Sequence, residues 1–237
     1  MMLNQYQQPI GDHLVDYHAG ELPEIDQLIG TYARVEKLSL AKHGEDLYAV
    51  LGPEANDKDF TYLPINPFQN FSDYTAYIKT LETSNDPYYL AIMDKETGKA
   101  LGLFALLNID TANRALEMGW VIYSDKLKQH RIATEAQFLV MQYSFEHLAY
   151  RRYQWKCDRF NQPSYHAAIR LGFTYEGCLR NAVVYKNRSR DSQFFSIIDQ
   201  EWPAIKAMFQ KWLHPSNFDA QAQQLASLNS FKTIKDA

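Results

Sequence analysis

Glu117-Met-Gly-Trp-Val-Ile-Tyr123, Ser124-Asp-Lys-Leu-Lys-Gln-His-Arg131 and Ile132-Ala-Thr-Glu-Ala136 follow one another without a break and carry three different patterns. The first is apolar apart from Glu117 and belongs to a strand that starts near Ala115. The second is a polar loop. The third opens a helical stretch to Leu148, in which Ile132, Ala136, Leu139, Val140, Tyr143 and Leu148 share one face. Upstream, Tyr88 to Asp94 and Leu101 to Ile109 flank the turn Lys95-Glu-Thr-Gly98, so with Ala115 to Tyr123 they predict an antiparallel meander. Before it come a period-two strand over Thr31 to Leu38, a helix from His43 to Leu51, and a loop over 53–70 marked by Pro53, Pro64 and Pro67. A second helix runs from Phe71 to Thr83, with Ser72 as its N-cap. Downstream, Tyr153 to Cys157 reads as a strand and Pro163 to Leu171 as a helix stopped by Gly172. Two strands near 174–186 and 192–199 flank the turn Asn187-Arg-Ser-Arg190, and a helix from Pro203 to about Leu213 follows. A meander leading into a strand–helix–strand–helix unit predicts an α/β (α+β) fold, a mixed, mostly antiparallel sheet with helices on its faces. The expected division is an N-terminal arm over 1–28, one domain over 29–213 and a polar C-terminal tail over 214–237.

The bulk properties narrow the function. The 237 residues are 46% hydrophobic and 22% charged, an ordinary globular composition. A net charge of -4 gives no basic field for nucleic acid or an anionic membrane, and no apolar run reaches the roughly 18 residues needed to span a bilayer. The N-terminus lacks the basic start and apolar stretch of a signal peptide. Cys157 and Cys178 form no CxxC pair, and the histidines show no ligand spacing. These features predict a cytoplasmic protein without a disulfide framework or a metal site.

The loop from Ser124 to Arg131 has two readings. The first N–H groups of a helix have no internal partners and sit at its positive end, so they can bind a diphosphate whatever the side chains. Lys128, His130 and Arg131 would add charge. The same loop is also a plain strand-to-helix turn with solvated basic residues.

Here the residues resemble a family. GNAT acetyltransferases carry a Q/R-x-x-G-x-G/A loop at such a helix start, often followed by Thr-Glu-Ala. This chain has Lys128-Gln-His-Arg131-Ile-Ala133 and then Thr134-Glu135-Ala136, with Lys128 for the usual Gln or Arg and Arg131 for the first Gly. Asn161-Gln-Pro-Ser164, then Gly172-Phe173, then Glu176-Gly177-Cys-Leu-Arg180 is similar to the corresponding run of the subgroup that acetylates ribosomal-protein N-termini. The resemblance covers about residues 30–213. It implies the GNAT fold, a splayed sheet in which acetyl-CoA enters between two diverging parallel strands, here 115–123 and 152–158.

The resemblance also implies roles. Lys128, Gln129, His130, Arg131, Ile132, Ala133 and Thr134 would surround the cofactor phosphates. A backbone N–H at Val121 or Ile122 would polarise the thioester carbonyl, while their side chains pack the pantetheine arm or plain core. Asn161 would hold the pantetheine amides. Glu117, which interrupts an apolar strand, is the candidate base, unless it lies on a solvated face. Ser164 is the candidate donor to the departing thiolate, unless it caps the helix, which Asn161 can do instead. The tyrosine that many relatives carry four residues after Ser164 is Ala168 here. Arg180, Lys186, Arg188 and Arg190 meet a substrate carboxylate, meet the cofactor's 3′-phosphate, or form a solvated turn. The expected function is transfer of an acetyl group from acetyl-CoA to a primary amine, on a protein N-terminus or a small molecule, by a monomer or homodimer. The alternative is a non-catalytic acyl-CoA-binding or regulatory module on the same fold.

Overall fold

The computed structural model describes residues 2–232. A small hairpin, β1 (Met2–Leu3) with β2 (Pro9–Ile10), stands outside the main sheet with its side chains exposed. Then come β3 (Gln27–Ile29), β4 (Ala33–Lys37), α1 (Leu40–Leu51) and α2 (Phe71–Glu82). The meander is β5 (Tyr88–Asp94), β6 (Ala100–Asp110) and β7 (Ala115–Tyr123). After it follow α3 (Arg131–Gln142), β8 (Arg152–Asp158), α4 (Gln162–Arg170), β9 (Thr174–Tyr185), β10 (Arg188–Ile198) and α5 (Trp202–Leu213). Eight strands form one sheet in the order β3-β4-β5-β6-β7-β8-β10-β9. Its one parallel pairing is β7 with β8, so the sheet is mixed and mostly antiparallel, as expected.

Both sheet faces are covered. Leu116, Met118, Tyr153 and Trp155 share a core with Phe138 and Met141 of α3, Ala168 of α4 and Phe209 of α5. Tyr89, Ala91, Leu103, Ala105 and Ile122 point the other way and pack against Leu47 of α1 and Tyr74 and Ile78 of α2. Continuous burial along most of β5 follows from this sandwich of helices.

Two irregularities shape the centre. On β7, Ile122 faces Leu103 but Gly119 faces Ala105, so β7 carries an extra residue, and Trp120 takes a left-handed φ of 51°. The opposite strand fits this bend closely: a Cβ at Gly102 would lie 2.5 Å from the Ile122 carbonyl oxygen. The second irregularity is between β7 and β8. Their ladder runs from Ala115↔Arg152 to Met118↔Trp155 and stops, although β7 continues to Tyr123 and β8 to Asp158. Beyond that rung the strands part.

Local chemistry departs from expectation in a few places. Asn70, not Ser72, caps α2, its Oδ1 accepting from the Asp73 N–H at 2.9 Å. The long helix after β7 ends at Gln142 and continues as a widened π turn over Tyr143–His147, where the Ser144 hydroxyl donates to the Val140 carbonyl. The last hairpin turns at Lys186 and Asn187, both left-handed (φ 48° and 56°), so Arg188 and Arg190 lie in β10 rather than in the turn. The arm boundary drawn at residue 28 falls inside β3. The segment after Leu213 packs back: Leu228 is buried, Phe218 lies edge-on to Trp212, and Lys232 Nζ donates to the Ile169 carbonyl. Residues 233–237 of that tail lie outside the described residues.

Candidate active site

The gap between β7 and β8 opens onto the start of α3. Burial and the neighbouring Arg131 both lower the pKa of His130, the N-cap, which favours the neutral ring; its Nδ1 accepts from the Ile132 N–H at 3.3 Å. Gln129 is left-handed at φ 57°, which turns the chain sharply into the helix. Among the described residues no acceptor lies on the N–H groups of Gln129 and Arg131, so both remain available to an anion at the helix start.

The side chains here are otherwise engaged. Lys128 Nζ lies 2.5 Å from Asp59 and 2.7 Å from Asp125. Burial pulls its pKa down, but the two carboxylates outweigh this and hold it above the usual lysine range. The Arg131 guanidinium sits 3.9 Å from the Tyr32 ring centroid and 5.1 Å from that of Phe218. In place of the family's glycine, therefore, Arg131 offers the helix opening its amide and sends its charge into an aromatic slot. Thr134 is buried, its Oγ1 accepting from Arg170 at 3.0 Å, and Ile132 and Ala133 are buried as well. Of these four residues, only main-chain atoms are left to face the loop.

The first turn of α3 is held in place by Glu135, 3% exposed, whose carboxylate accepts from the N–H groups of Thr31, Tyr32 and Ala33 at 2.8, 2.6 and 2.6 Å. It ties α3 to the β3–β4 turn.

Glu117 lies on the last stretch of β7 still paired with β8, and it is not solvated: it is 5% exposed. Asn108 Nδ2 donates to its Oε2 at 3.0 Å, and Lys156 Nζ, from β8, lies 3.3 Å from the same oxygen. Past the bulge, Val121 is half-buried against the α3-side core, while Ile122 joins the core under α1 and α2. Among the described residues, the β8-facing edge of β7 has no strand partner beyond Met118.

On the other side of the gap, Asn161 caps α4, its Oδ1 accepting from the Ser164 N–H at 3.2 Å. Ser164 is thereby freed from capping. Its Oγ accepts from the Trp155 indole at 3.0 Å, at the last rung of the β7–β8 ladder, and its own proton is directed at the neighbouring Cys157 sulfur, a group beside it that can accept. Burial pushes the nearby Cys157 thiol up to about 11, which leaves it protonated and inert near neutral pH. Ala168 is fully buried.

A short 3-10 turn, Asp57–Phe60, and the residues after it roof the mouth. Asp59 reaches Lys128, the Phe60 carbonyl accepts from Lys186, the Thr61 carbonyl accepts from Arg188, and the Tyr62 hydroxyl donates to the Phe160 carbonyl.

The family model described as Acetyltransferase (GNAT) domain matches residues 38–174, from the start of α1 to the start of β9. The chain belongs to the GNAT acetyltransferases. A crystal structure of a GCN5-related N-acetyltransferase from Brucella melitensis superposes with a TM-score of 0.90 at 40% identity, over 92% of this chain and 99% of that one. Uncharacterized N-acetyltransferase p20 from Bacillus licheniformis is 29% identical over 174 residues, covering 70% of this chain and 96% of that protein. The fold is also similar to that of Microcin C7 self immunity acetyltransferase MccE, solved in complex with acetyl-CoA and AMP, with a TM-score of 0.62 at 24% identity over 71% of this chain and 93% of that one. The chain is thus an acyl-transferring enzyme.

Within this GNAT frame, several groups escape sequence reading. Lys156 and Asn108 hold Glu117, Trp155 holds Ser164, and Asp59 neutralises Lys128. The one local signal was Lys156 itself, a charged residue on the strand that parts from β7.

Proposed function

We propose that this acetyltransferase moves the acetyl group of acetyl-CoA onto a primary amine, on a protein N-terminus or a small molecule, by direct attack of the amine on the thioester. One observation carries the reading: the β7–β8 ladder ends at Met118↔Trp155, and the resulting gap leads to the unpaired amides that open α3. The thioester arm lies in that gap and the diphosphate on the amides of Gln129 and Arg131. The acetyl-CoA bound by the fold neighbour MccE supports the choice of donor.

Glu117 accepts the proton that the amine must lose, directly or through one water, and Asn108 and Lys156 fix its orientation. The nitrogen–carbon bond forms as the carbon–sulfur bond breaks. An N–H at Val121 or Ile122 polarises the carbonyl. The Ser164 hydroxyl, its oxygen already accepting from Trp155, donates its proton towards the departing thiolate. Asn161 keeps its Nδ2 free for the pantetheine amides while its Oδ1 caps α4. The free thiols of Cys157 and Cys178 suit a reducing cytoplasm.

Calorimetry with acetyl-CoA, followed by thiol release against a panel of amines, tests the reading. Glu117→Gln is expected to lower kcat about 10²-fold to 10³-fold while acetyl-CoA affinity stays unchanged. Wild-type turnover in that variant removes Glu117 from the base role, and binding without turnover on any amine would return the non-catalytic alternative.

A further inference from the structure

Lys186, Arg188 and Arg190 gather at the end of the β9–β10 hairpin that closes onto the roof. Lys186 Nζ donates to the Phe60 carbonyl at 2.8 Å and Arg188 Nη2 to the Thr61 carbonyl at 2.6 Å. The Nε of Arg190 is buried without a hydrogen-bond partner among the described residues. Among the described residues, none of the three forms a salt bridge. The nearest acids are already taken: Asp158 accepts from the Tyr185 hydroxyl and the Phe160 N–H, and Asp191 accepts from Arg159 and the Asn181 N–H. Burial and the neighbouring Arg188 both lower the pKa of Lys186, and Arg188 and Arg190 lie over the ring of Tyr185, whose hydroxyl donates to Asp158, so the cations crowd one another with no direct ion pair among the described residues.

Their position says which ligand they face. Trp155 bonds Ser164 of α4, so side chains at alternate positions of β8, Lys156 and Asp158, point to the opposite face. Lys156 meets Glu117 and Asp158 meets Tyr185, which precedes Lys186. This path leads from the candidate base to the cations along the face away from α3 and α4. Two strand residues rise about 7 Å, so the cations sit on the order of 10–15 Å from Glu117. An amine at Glu117 would reach them with an anionic group two or three residues further along a peptide.

We infer that the acceptor is an acidic, peptide-like amine, whose carboxylate is bound by Lys186, Arg188 and Arg190. The inference rests on the acetyl-transfer reading above and names its substrate class.

The test is calorimetry on the full chain saturated with coenzyme A, using two tetrapeptide amides that differ only in Glu or Gln at their second or third residue. The acidic peptide is expected to bind at least about tenfold more tightly at low salt, an advantage that shrinks as salt screens the contact. It should fall to less than about threefold in Lys186→Met/Arg188→Met. Because those two residues also hold the roof, Arg190→Gln, which bonds no backbone carbonyl, is measured beside them and should lose part of the same advantage. Equal binding of the two peptides by the wild type overturns the proposal. So does a result in which the variants alter only the preference for coenzyme A over its 3′-dephospho form, since the cations would then serve the cofactor. Failure of the acetyl-transfer reading shows separately, as absent coenzyme A binding or absent thiol release.

Discussion

Beside α3 the cleft is walled by main-chain groups: the opening amides of a helix, a bulge at Trp120, and a strand edge left without a partner. Beside the β9–β10 hairpin it is walled by charged side chains drawn from three distant stretches: residues 57–62, 156–158 and 185–190. The first wall tolerates substitution, because an amide is offered by any residue except proline; Arg131 can replace a glycine and still leave its N–H in place. The second depends on which side chains are present, and so, on the proposed reading, it is the wall that would distinguish one acceptor from another.

The largest expected effect breaks the first wall by loosening its anchor. Glu135→Gln leaves the N–H groups of Thr31, Tyr32 and buried Ala33 facing a neutral amide, and should cost about 2–4 kcal/mol in a urea titration; a loss below about 1 kcal/mol would mean that the β3–β4 turn is not what holds α3. Next comes Ser164→Ala, where the two walls meet. Turnover at saturating acetyl-CoA should fall about tenfold, on the order of one lost charge-assisted hydrogen bond, whereas unchanged turnover reduces Ser164 to an acceptor for the Trp155 indole. A smaller effect is expected at the slot between Tyr32 and Phe218. Arg131→Leu should raise KM for acetyl-CoA about threefold to fivefold with kcat unchanged, since one cation–π contact is worth about 1 kcal/mol. Phe218→Leu should act in the same direction, and an altered kcat in either variant would place the slot in the chemistry rather than in loop positioning.

The smallest concerns acid tolerance far from the cleft chemistry. The hydrogen bonds from Arg152, and less from Ser196, hold the Glu176 carboxyl below the usual range. Its stabilisation is therefore complete above the ordinary carboxylate pKa and is lost as pH falls through the lowered value, below about pH 4. Glu176→Gln should flatten that acid limb in urea midpoints measured against pH, and an unchanged limb would assign the acid sensitivity elsewhere.

The difference between the walls also decides what could be read in advance. The strand–loop–helix run from Glu117 to Ala136 is contiguous, so its periodicities and the helix opening were visible in order, as was the strand on the far side of the gap. Glu117 stood out because it interrupts an apolar run, although its partners Asn108 and Lys156 lie on neighbouring strands whose register no spacing rule supplies. The contacts of Lys128 with Asp59, and of Arg131 with Tyr32 and Phe218, span the chain and depend on packing. The hairpin turn lies earlier than the composition suggests, because Lys186-Asn187 adopts a left-handed turn without glycine, whereas Asn187-Arg-Ser-Arg190 has the composition of a loop. The bulge at Trp120 had no signal, since tryptophan seldom takes a left-handed conformation.

The parting of β7 from β8 after four rungs has one more consequence. Between two unzipped edges, the best-fitting guest is itself ladder-like, an extended molecule whose alternating donors and acceptors fall at the spacing of peptide groups. Such a guest would give the eight-stranded sheet a ninth member, and on its departure those polar groups would return to water. Occupancy should then be legible as slowed amide exchange along 119–123, with no lid or hinge required to move.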